Sequence, residues 1–481
     1  NMTVVFPHID YYAVLPDLIV GGTALLIMLV SPFLTGERRW LSCHIAWLGV
    51  VGALFATYKT LGMHSLTFAG LYSVDYFSSV LRLVFLIATF LVILMSENFI
   101  KLRKLPAGEY YSLLMFATLG MMMMASAADL MVFFIGLEIM SVSLYVLAGI
   151  SRRDLKSNEA ALKYFLLGAF ATGFIVFGIA FVYGAVGTTS IVGIFSGSMY
   201  RFANSELFLM IGGALLLIGL GFKLASFPFH MWVPDVYTGS PTTVTAFMSA
   251  GPKAAAIAIL ARLFIHAFGG FAEITSSIFW VMAVTTMLIG NLTAISQTNV
   301  KRMLAYSSIA HAGYMLMAFV AGTGEAVNSA VYYILCYTVM NIGAFAVLLA
   351  VESKIDGDNE LSSFAGLGRI HPILGAAMTL FMVSLGGIPP TAGFFAKFYL
   401  FKAVISTGQI PLVVIAVINS LISVYYYLRV VVVMFMVDTE TEFKPVAYPS
   451  GLYVALVVAV MAVLAFGVFP QYFYPFGAPM L

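Results

Sequence analysis

The chain has 481 residues, 62% of them hydrophobic and 9% charged, with a mean hydropathy of +1.02. That composition excludes a string of soluble domains and describes a membrane protein; at about 20 apolar residues per span, the chain can supply at most about fifteen helices. With 23 Lys and Arg against 21 Asp and Glu, the net charge is +2, which indicates no nucleic-acid partner.

Apolar runs bounded by charge or by Gly/Pro clusters predict an all-α polytopic protein with about fourteen spans. They lie at about 12–33, 41–58, 75–96, 110–126, 130–150, 157–184, 206–239, 242–266, 276–297, 303–321, 327–351, 372–407, 411–437 and 450–469, by the apolar-run criterion. The first has no preceding Lys or Arg and no small-residue cleavage site after it, so it is expected to remain as a span. Loops after odd-numbered spans hold Arg38, Arg39, Lys101, Arg103, Lys104, Arg152, Arg153, Lys156, Lys301, Arg302, Lys354, Arg369 and Lys444. The opposite loops hold only Lys59 and Arg201. Cytoplasmic loops carry the excess of Lys and Arg, so both termini are expected on the outer, periplasmic face.

Two spans are too long and are interrupted. The seventh runs through KLASFPFHMWVPDVYTGSP with Pro228 and Pro234, and the twelfth through SLGGIPPTAGFFAKFY with Gly386, Gly387, Pro389 and Pro390. Proline frees a backbone carbonyl, and irregular backbone at membrane depth survives only where protein or a water-filled cavity satisfies it. Paired breaks, each near a lysine, point to a transport site rather than to packing kinks.

Most charges map to loops or helix ends, and the exceptions carry the chemistry. Glu138 falls in the fifth span, Lys163 a turn or two inside the sixth, Lys223 in the seventh, Lys253 in the eighth, His311 in the tenth and Lys397 in the twelfth. A Lys or Glu at the bilayer centre costs roughly 2.5–3.5 kcal/mol on insertion scales. In return, burial and pairing move such groups between charged and neutral forms in opposite directions, which makes a two-state proton carrier. Glu138 beside Lys223 or Lys163 is the expected modulator, Lys253 and His311 the intermediate stations, and Lys397 the far terminal. Ser226, Ser249, Ser307, Ser308 and Thr391 are polar companions for bridging water. His230 and Asp235, beside the first break, fit either support of loose backbone or proton movement. Arg82, Arg262, Lys402 and Arg429 lie towards helix ends and are expected to snorkel, and Met121 to Met124 to pack rather than bind metal.

From Glu138 to Lys223 is 85 positions and from His311 to Lys397 is 86. This spacing suggests two five-helix units, spans four to eight (108–270) and nine to thirteen (271–438). Because five is odd, they would be inverted relative to each other. An N-terminal three-helix segment (1–107) and a C-terminal helix (439–481) lie outside them.

Cys43 and Cys336 fit neither a CxxC motif nor a four-thiolate iron–sulfur site, and neither a dinucleotide glycine fingerprint nor a P-loop occurs. No cofactor and no metal is expected in this chain.

The segments LEIMSVSLYVLAG, EAALKYFLLGAFATGF, GLGFKLASFPFHMWVPDVYTGSPT, GNLTAISQTNVKRMLAYSSIAHAGYM and GIPPTAGFFAKFYLF resemble the antiporter-like membrane subunits of respiratory complex I. The resemblance covers nearly the whole chain, most densely 108–430. Lys397 stands where the M-type subunit has a glutamate, and the chain stops soon after its fourteenth span, without the lateral helix of the L-type. Both features resemble the N-type subunit of NADH:quinone oxidoreductase, the counterpart of mitochondrial NADH dehydrogenase subunit 2. The resemblance implies proton translocation through Glu138, Lys163, Lys223, Lys253 and Lys397, with His311 on the central axis. It implies partners of the M-type and the small K-, J- and A-types in a bacterial inner membrane, with flavin, iron–sulfur clusters and quinone in other subunits. Pro252, just before Lys253, is expected to shift that helix. The alternative is a subunit of a multi-subunit cation/proton antiporter or membrane-bound hydrogenase.

Overall fold

A computed structural model of the chain describes residues 9–34, 40–195, 205–352, 359–438 and 450–474. Arg38, Arg39, Arg201, Lys354 and Lys444, counted above in the loops, lie outside the described residues. The chain begins with α1 (Leu15–Val30) and α2 (Leu41–Thr60), then a hairpin of β1 (Ser65–Thr67) and β2 (Tyr72–Val74). There follow α3 (Tyr76–Arg103), α4 (Ala107–Ser126), α5 (Leu130–Ala148), α6 (Leu155–Val186) and the short α7 (Ile191–Phe195). Next come α8 (Ser205–Leu224), α9 (Val233–Gly239), α10 (Thr242–Leu260), α11 (Ala272–Ile295), α12 (Val300–Ala321) and α13 (Gly324–Glu352). The series closes with α14 (Leu367–Ile370), α15 (Pro372–Gly386), α16 (Ala392–Ile405), α17 (Ile410–Met436) and α18 (Ser450–Val468).

Twelve helices among the described residues are long and apolar enough to cross a membrane. The two expected spans that fall outside that set are α4 and the twelfth, which is divided into α15 and α16 of 15 and 14 residues. The seventh span is divided into α8 and α9. Asx side chains start several helices by taking an amide that has no intrahelical partner. Asp75 accepts from Ser78 N at 2.7 Å while Ser78 Oγ accepts from Asp75 N, a full capping box. Asp129, Asp154 and Asn299 cap α5, α6 and α12 in the same sense.

The hairpin departs from an all-helical expectation. Its strands pair Ser65 with Val74 and Thr67 with Tyr72, too short a run for alternation to be read in sequence. Phe68, Ala69 and Gly70 take left-handed backbone to close it. The fold sorts its helices by depth: α10 is buried along its whole length and α12 and α13 nearly so, while α6 turns Leu162, Phe165, Phe170 and Phe177 outward as a lipid-facing helix does. Met121, Met122 and Met124 pack in the core.

Pro252 does not break α10. A proline at this position frees the carbonyl four residues earlier, and Met248 O accepts from Tyr237 OH at 3.1 Å instead. The helix loosens only beyond Leu260, where 261–267 form a π-turn. Of three isolated strand bridges among the described residues, two tie the bundle in corresponding places, Asp129 with Ser190 and Asn299 with Glu360, each shifted from the other by 170 positions. Helix packing repeats with them: α4 lies along α5 and α11 along α12 as two of the most extensive contacts in the fold.

Candidate proton-transfer axis

The three central lysines are buried, at 3%, 1% and 4% exposure for Lys223, Lys253 and Lys397, and none forms an ion pair among the described residues. Between them they are solvated by hydroxyls, carbonyls and aromatic faces. Lys223, in the last turn of α8, donates to Ser141 Oγ at 2.8 Å and Tyr145 OH at 3.1 Å, both on α5, and lies 5.3 Å from the Tyr145 ring centre. Ser141 and Tyr145 are four apart and so share one helix face.

Glu138 does not pair with Lys223. Its Oε1 accepts from Thr172 Oγ1 on α6 at 3.0 Å. Nor does Lys163 join Glu138: its ammonium is held by Glu159 at 2.7 Å and by Asp235 at 3.0 Å, with its side chain 42% exposed. Asp235 also takes Arg302 at 3.2 Å. The reason is geometric, since Glu159 is one helical turn before Lys163, and α9, placed by the seventh-span break, brings Asp235 to the same spot. Pro234 is the second residue of α9 and opens that helix rather than interrupting one. The break itself is 225–232, where Ala225 is left-handed and Phe227 N finds Thr286 Oγ1 at 2.9 Å.

Lys253 reaches α12, donating to Ser308 O at 2.5 Å and Ser308 Oγ at 2.9 Å. One turn further along α12, His311 is clasped between Tyr333 OH at 2.7 Å and Tyr427 OH at 3.1 Å. Tyr427 OH also meets Ser307 Oγ. Positions 307, 308, 311 and 314 lie on one face of α12. Tyr314 stands between the last two stations: its ring centre is 5.9 Å from that of His311 and 5.1 Å from Lys397 Nζ.

Lys397 shows why the twelfth span is broken. α15 ends at Gly386, and its freed carbonyls, Gly386 O at 3.0 Å and Leu385 O at 3.3 Å, accept from Lys397 Nζ together with Ser420 Oγ at 2.8 Å. Gly387 has φ +81°, and a Cβ there would stand 2.9 Å from Lys397 Cδ. Both features favour glycine here. Pro389 and Pro390 then fill the interval before α16. A cavity of about 500 Å³, lined by Gly387, Phe394, Lys397, Phe401 and Ser420 among others, opens at this break.

The family described as NADH:quinone oxidoreductase/Mrp antiporter, TM, matches residues 127–423. NADH-quinone oxidoreductase subunit N of Trichlorobacter lovleyi is 45% identical over 98% of this chain and 97% of its own. The chain belongs to the NADH-quinone oxidoreductase subunit N family. A chain of respiratory complex I from Thermus thermophilus with bound aureothin superposes with TM-score 0.80 at 35% identity, covering 96% of this chain and 98% of that one. A chain of the Mrp complex from Dietzia has TM-score 0.82 at 21% identity, over 97% and 96% of the two chains, a likeness of fold alone. All six candidate residues of this subunit N family member fall inside the matched 127–423.

Three buried cations escaped the sequence reading. Lys301, counted as a loop lysine, is the second residue of α12, 3% exposed, and donates to Ser240 O at 2.6 Å. Arg82 and Arg262 do not snorkel: they are 0% and 1% exposed and pair with Asp17 at 2.6 Å and Asp75 at 2.8 Å. Burial works against the Asp75 charge, but the Arg262 guanidinium and the Ser78 amide outweigh it and hold the carboxyl below its ordinary range. Among the described residues no three His, Cys, Asp or Glu gather as metal ligands, and Cys43 and Cys336 are buried free thiols.

Proposed function

We propose that this chain carries protons across a bacterial inner membrane as a membrane-arm subunit of an NADH:quinone oxidoreductase, through Glu138, Lys223, Lys253, His311 and Lys397. The observation that carries the reading is the solvation of three buried lysines by hydroxyls and carbonyls, with no carboxylate in ion-pair contact among the described residues to lock them charged. A lysine so placed can exist with or without its proton. α12 supplies the continuous part of the route, from Ser308 against Lys253 through His311 to Tyr314 over Lys397. Bridging water serves the interval between Lys223 and Lys253. Lys163, held by Glu159 and Asp235, serves as an exchangeable charge beside the Lys223 end rather than as a link. Flavin, iron–sulfur clusters and quinone belong to partner subunits, and the neighbours are the M-type and the small K-, J- and A-type subunits.

The end of the bundle bearing Lys101, Arg103, Arg152, Lys156 and Arg302 faces the cytoplasm in this reading, so both termini face outward. The division into inverted units at 108–270 and 271–438 is supported by the two bridges 170 positions apart. That shift makes Ser141, which holds Lys223, the counterpart of His311, one helical turn from the pairing suggested by the 85 and 86 spacings.

The test is Lys223→Ala in the assembled complex, measured as quinone-coupled proton pumping in inverted membrane vesicles. Pumping should fall by about 100-fold, the low end of what a positioned proton-transferring group contributes. Wild-type pumping in a normally assembled complex overturns the reading. Sodium-dependent proton flux without quinone reduction would instead make the chain an antiporter subunit.

A further inference from the structure

At the cationic end of the bundle, buried Lys301, Ser240 and Thr242 meet the partly exposed Glu352, a group that the axis above does not use. Lys301 Nζ donates to Ser240 O at 2.6 Å. Two residues on, Thr242 Oγ1 donates to Glu352 Oε2 at 2.5 Å, and the other oxygen of Glu352 faces Arg103 at 3.5 Å. Glu352 is the last residue of α13, and its side chain is 12% exposed, so it touches both solvent and the bundle interior. Glu352, Asp154, Arg103 and Lys156 are the charges close enough to act on Lys301 here.

From this point α10 leads inward with hydroxyls on a single face. Thr242, Thr245 and Ser249 precede Lys253 at intervals of three, four and four residues, the repeat of one helix face. All three are fully buried. The distance covered is about 16 Å at 1.5 Å per residue. Ser249 Oγ accepts from Asn341 Nδ2 at 2.5 Å, and Thr245 Oγ1 donates to Tyr237 O at 2.8 Å. Among the described residues, two buried polar atoms beside this line have no protein partner: Ser240 Oγ at its mouth and Asn341 Oδ1, on the side chain that donates to Ser249. Buried polar atoms are satisfied by protein or by ordered water, and a polar row of this kind offers water the two to four partners it needs.

We infer that Glu352 is the proton acceptor of an uptake path that runs down the Thr242, Thr245 and Ser249 face of α10 to Lys253, with Lys301 as its positioning residue. This rests on the proton-translocating reading and assigns it a supply route. A proton from the aqueous phase binds the Glu352 carboxylate. It passes along hydroxyls and water to the neutral amine of Lys253, leaving the carboxylate free and the amine as ammonium. Lys301 holds the Ser240 carbonyl, and with it the turn that presents Thr242 to Glu352.

The experiment compares Glu352→Gln, Glu352→Asp, Thr242→Val and Lys253→Ala in the assembled complex, reading proton pumping in inverted vesicles against the pH on the uptake side. Without the carboxylate, delivery depends directly on bulk protons, so Glu352→Gln should pump close to wild type at acid pH and lose up to about tenfold per pH unit as pH rises through neutrality. Glu352→Asp should restore most of the high-pH rate. Thr242→Val removes the first hydroxyl without touching a charge and should give the same acid-shifted profile. A uniform loss at every pH in both variants would mark a structural role and overturn the path. Wild-type profiles in both, with Lys253→Ala inactive, would overturn the path alone. Full pumping by Lys253→Ala would overturn the translocation reading itself.

Discussion

Arg82 and Arg262 near the hairpin are as deeply buried as Lys223, Lys253 and Lys397 at the centre, yet the two groups are solvated in opposite ways. Each arginine has a carboxylate, Asp17 or Asp75, and a backbone carbonyl, Ala13 O at 3.4 Å or Ala125 O at 2.7 Å. Each lysine is held by hydroxyls or carbonyls and, among the described residues, by no carboxylate within ion-pair distance. The chemistry of the side chains follows the same division: guanidinium keeps its proton under all physiological conditions, whereas a buried ammonium can release it. The arginines sit where charge is to stay and tie α1 to α3, and α3 to the π-turn after α10. In the proposed route the lysines sit where charge comes and goes.

The largest effect that could break this comparison is on the arginine side. Arg82→Ala leaves Asp17 buried and unpaired, which should cost about 3–5 kcal/mol and show as loss of assembled, heat-stable complex. The double variant Asp17→Leu with Arg82→Met replaces the pair by apolar packing and should restore assembly with normal pumping. If the double variant assembles but does not pump, Arg82 and Asp17 belong to the proton route and the division between fixed and mobile charge fails. Gly387→Ala probes the lysine side at a smaller scale. Left-handed backbone at a non-glycine residue costs about 1–2 kcal/mol, and the new methyl group crowds Lys397 directly. Pumping should drop further than thermal stability does. Equal losses in both would mean that the glycine serves the backbone turn and not the lysine.

The two sides of the comparison were unequally legible in the sequence. Lys223, Lys253, His311 and Lys397 stand out because each interrupts an apolar run, and Pro228, Gly387, Pro389 and Pro390 mark the breaks by their own backbone chemistry. The ion pairs are not local. Asp17 is 65 positions from Arg82, Asp75 is 187 from Arg262 and Asp235 is 72 from Lys163, so no window of sequence holds both partners. Lys301 was hidden differently: it follows the polar segment QTN and precedes Arg302, and only the cap at Asn299 shows that α12 has begun. Glu138 forms no ion pair with Lys223 although its charge acts on that lysine, and periodicity gives the face of α5 but not which helix lies against the Glu138 carboxylate. The structure places Thr172 of α6 there.

The smallest effect concerns His311, the imidazole among the central stations. Its two nitrogens are bound by Tyr333 and Tyr427, so a phenol rather than a charge fixes the ring, and Tyr427 also holds Ser307. Tyr427→Phe removes that hydroxyl while keeping the ring volume. Losing one such hydrogen bond is worth about 1 kcal/mol, roughly a fivefold change in rate if all of it falls on the transfer step. Pumping should therefore be slowed several-fold but retained, because water can replace the phenol between Ser307 and His311. Vesicle assays run beside Lys253→Ala give the scale. A loss as complete as that of Lys253→Ala would make the Tyr427 hydroxyl an obligatory carrier, and the mobile side of the comparison would then include phenols as well as amines.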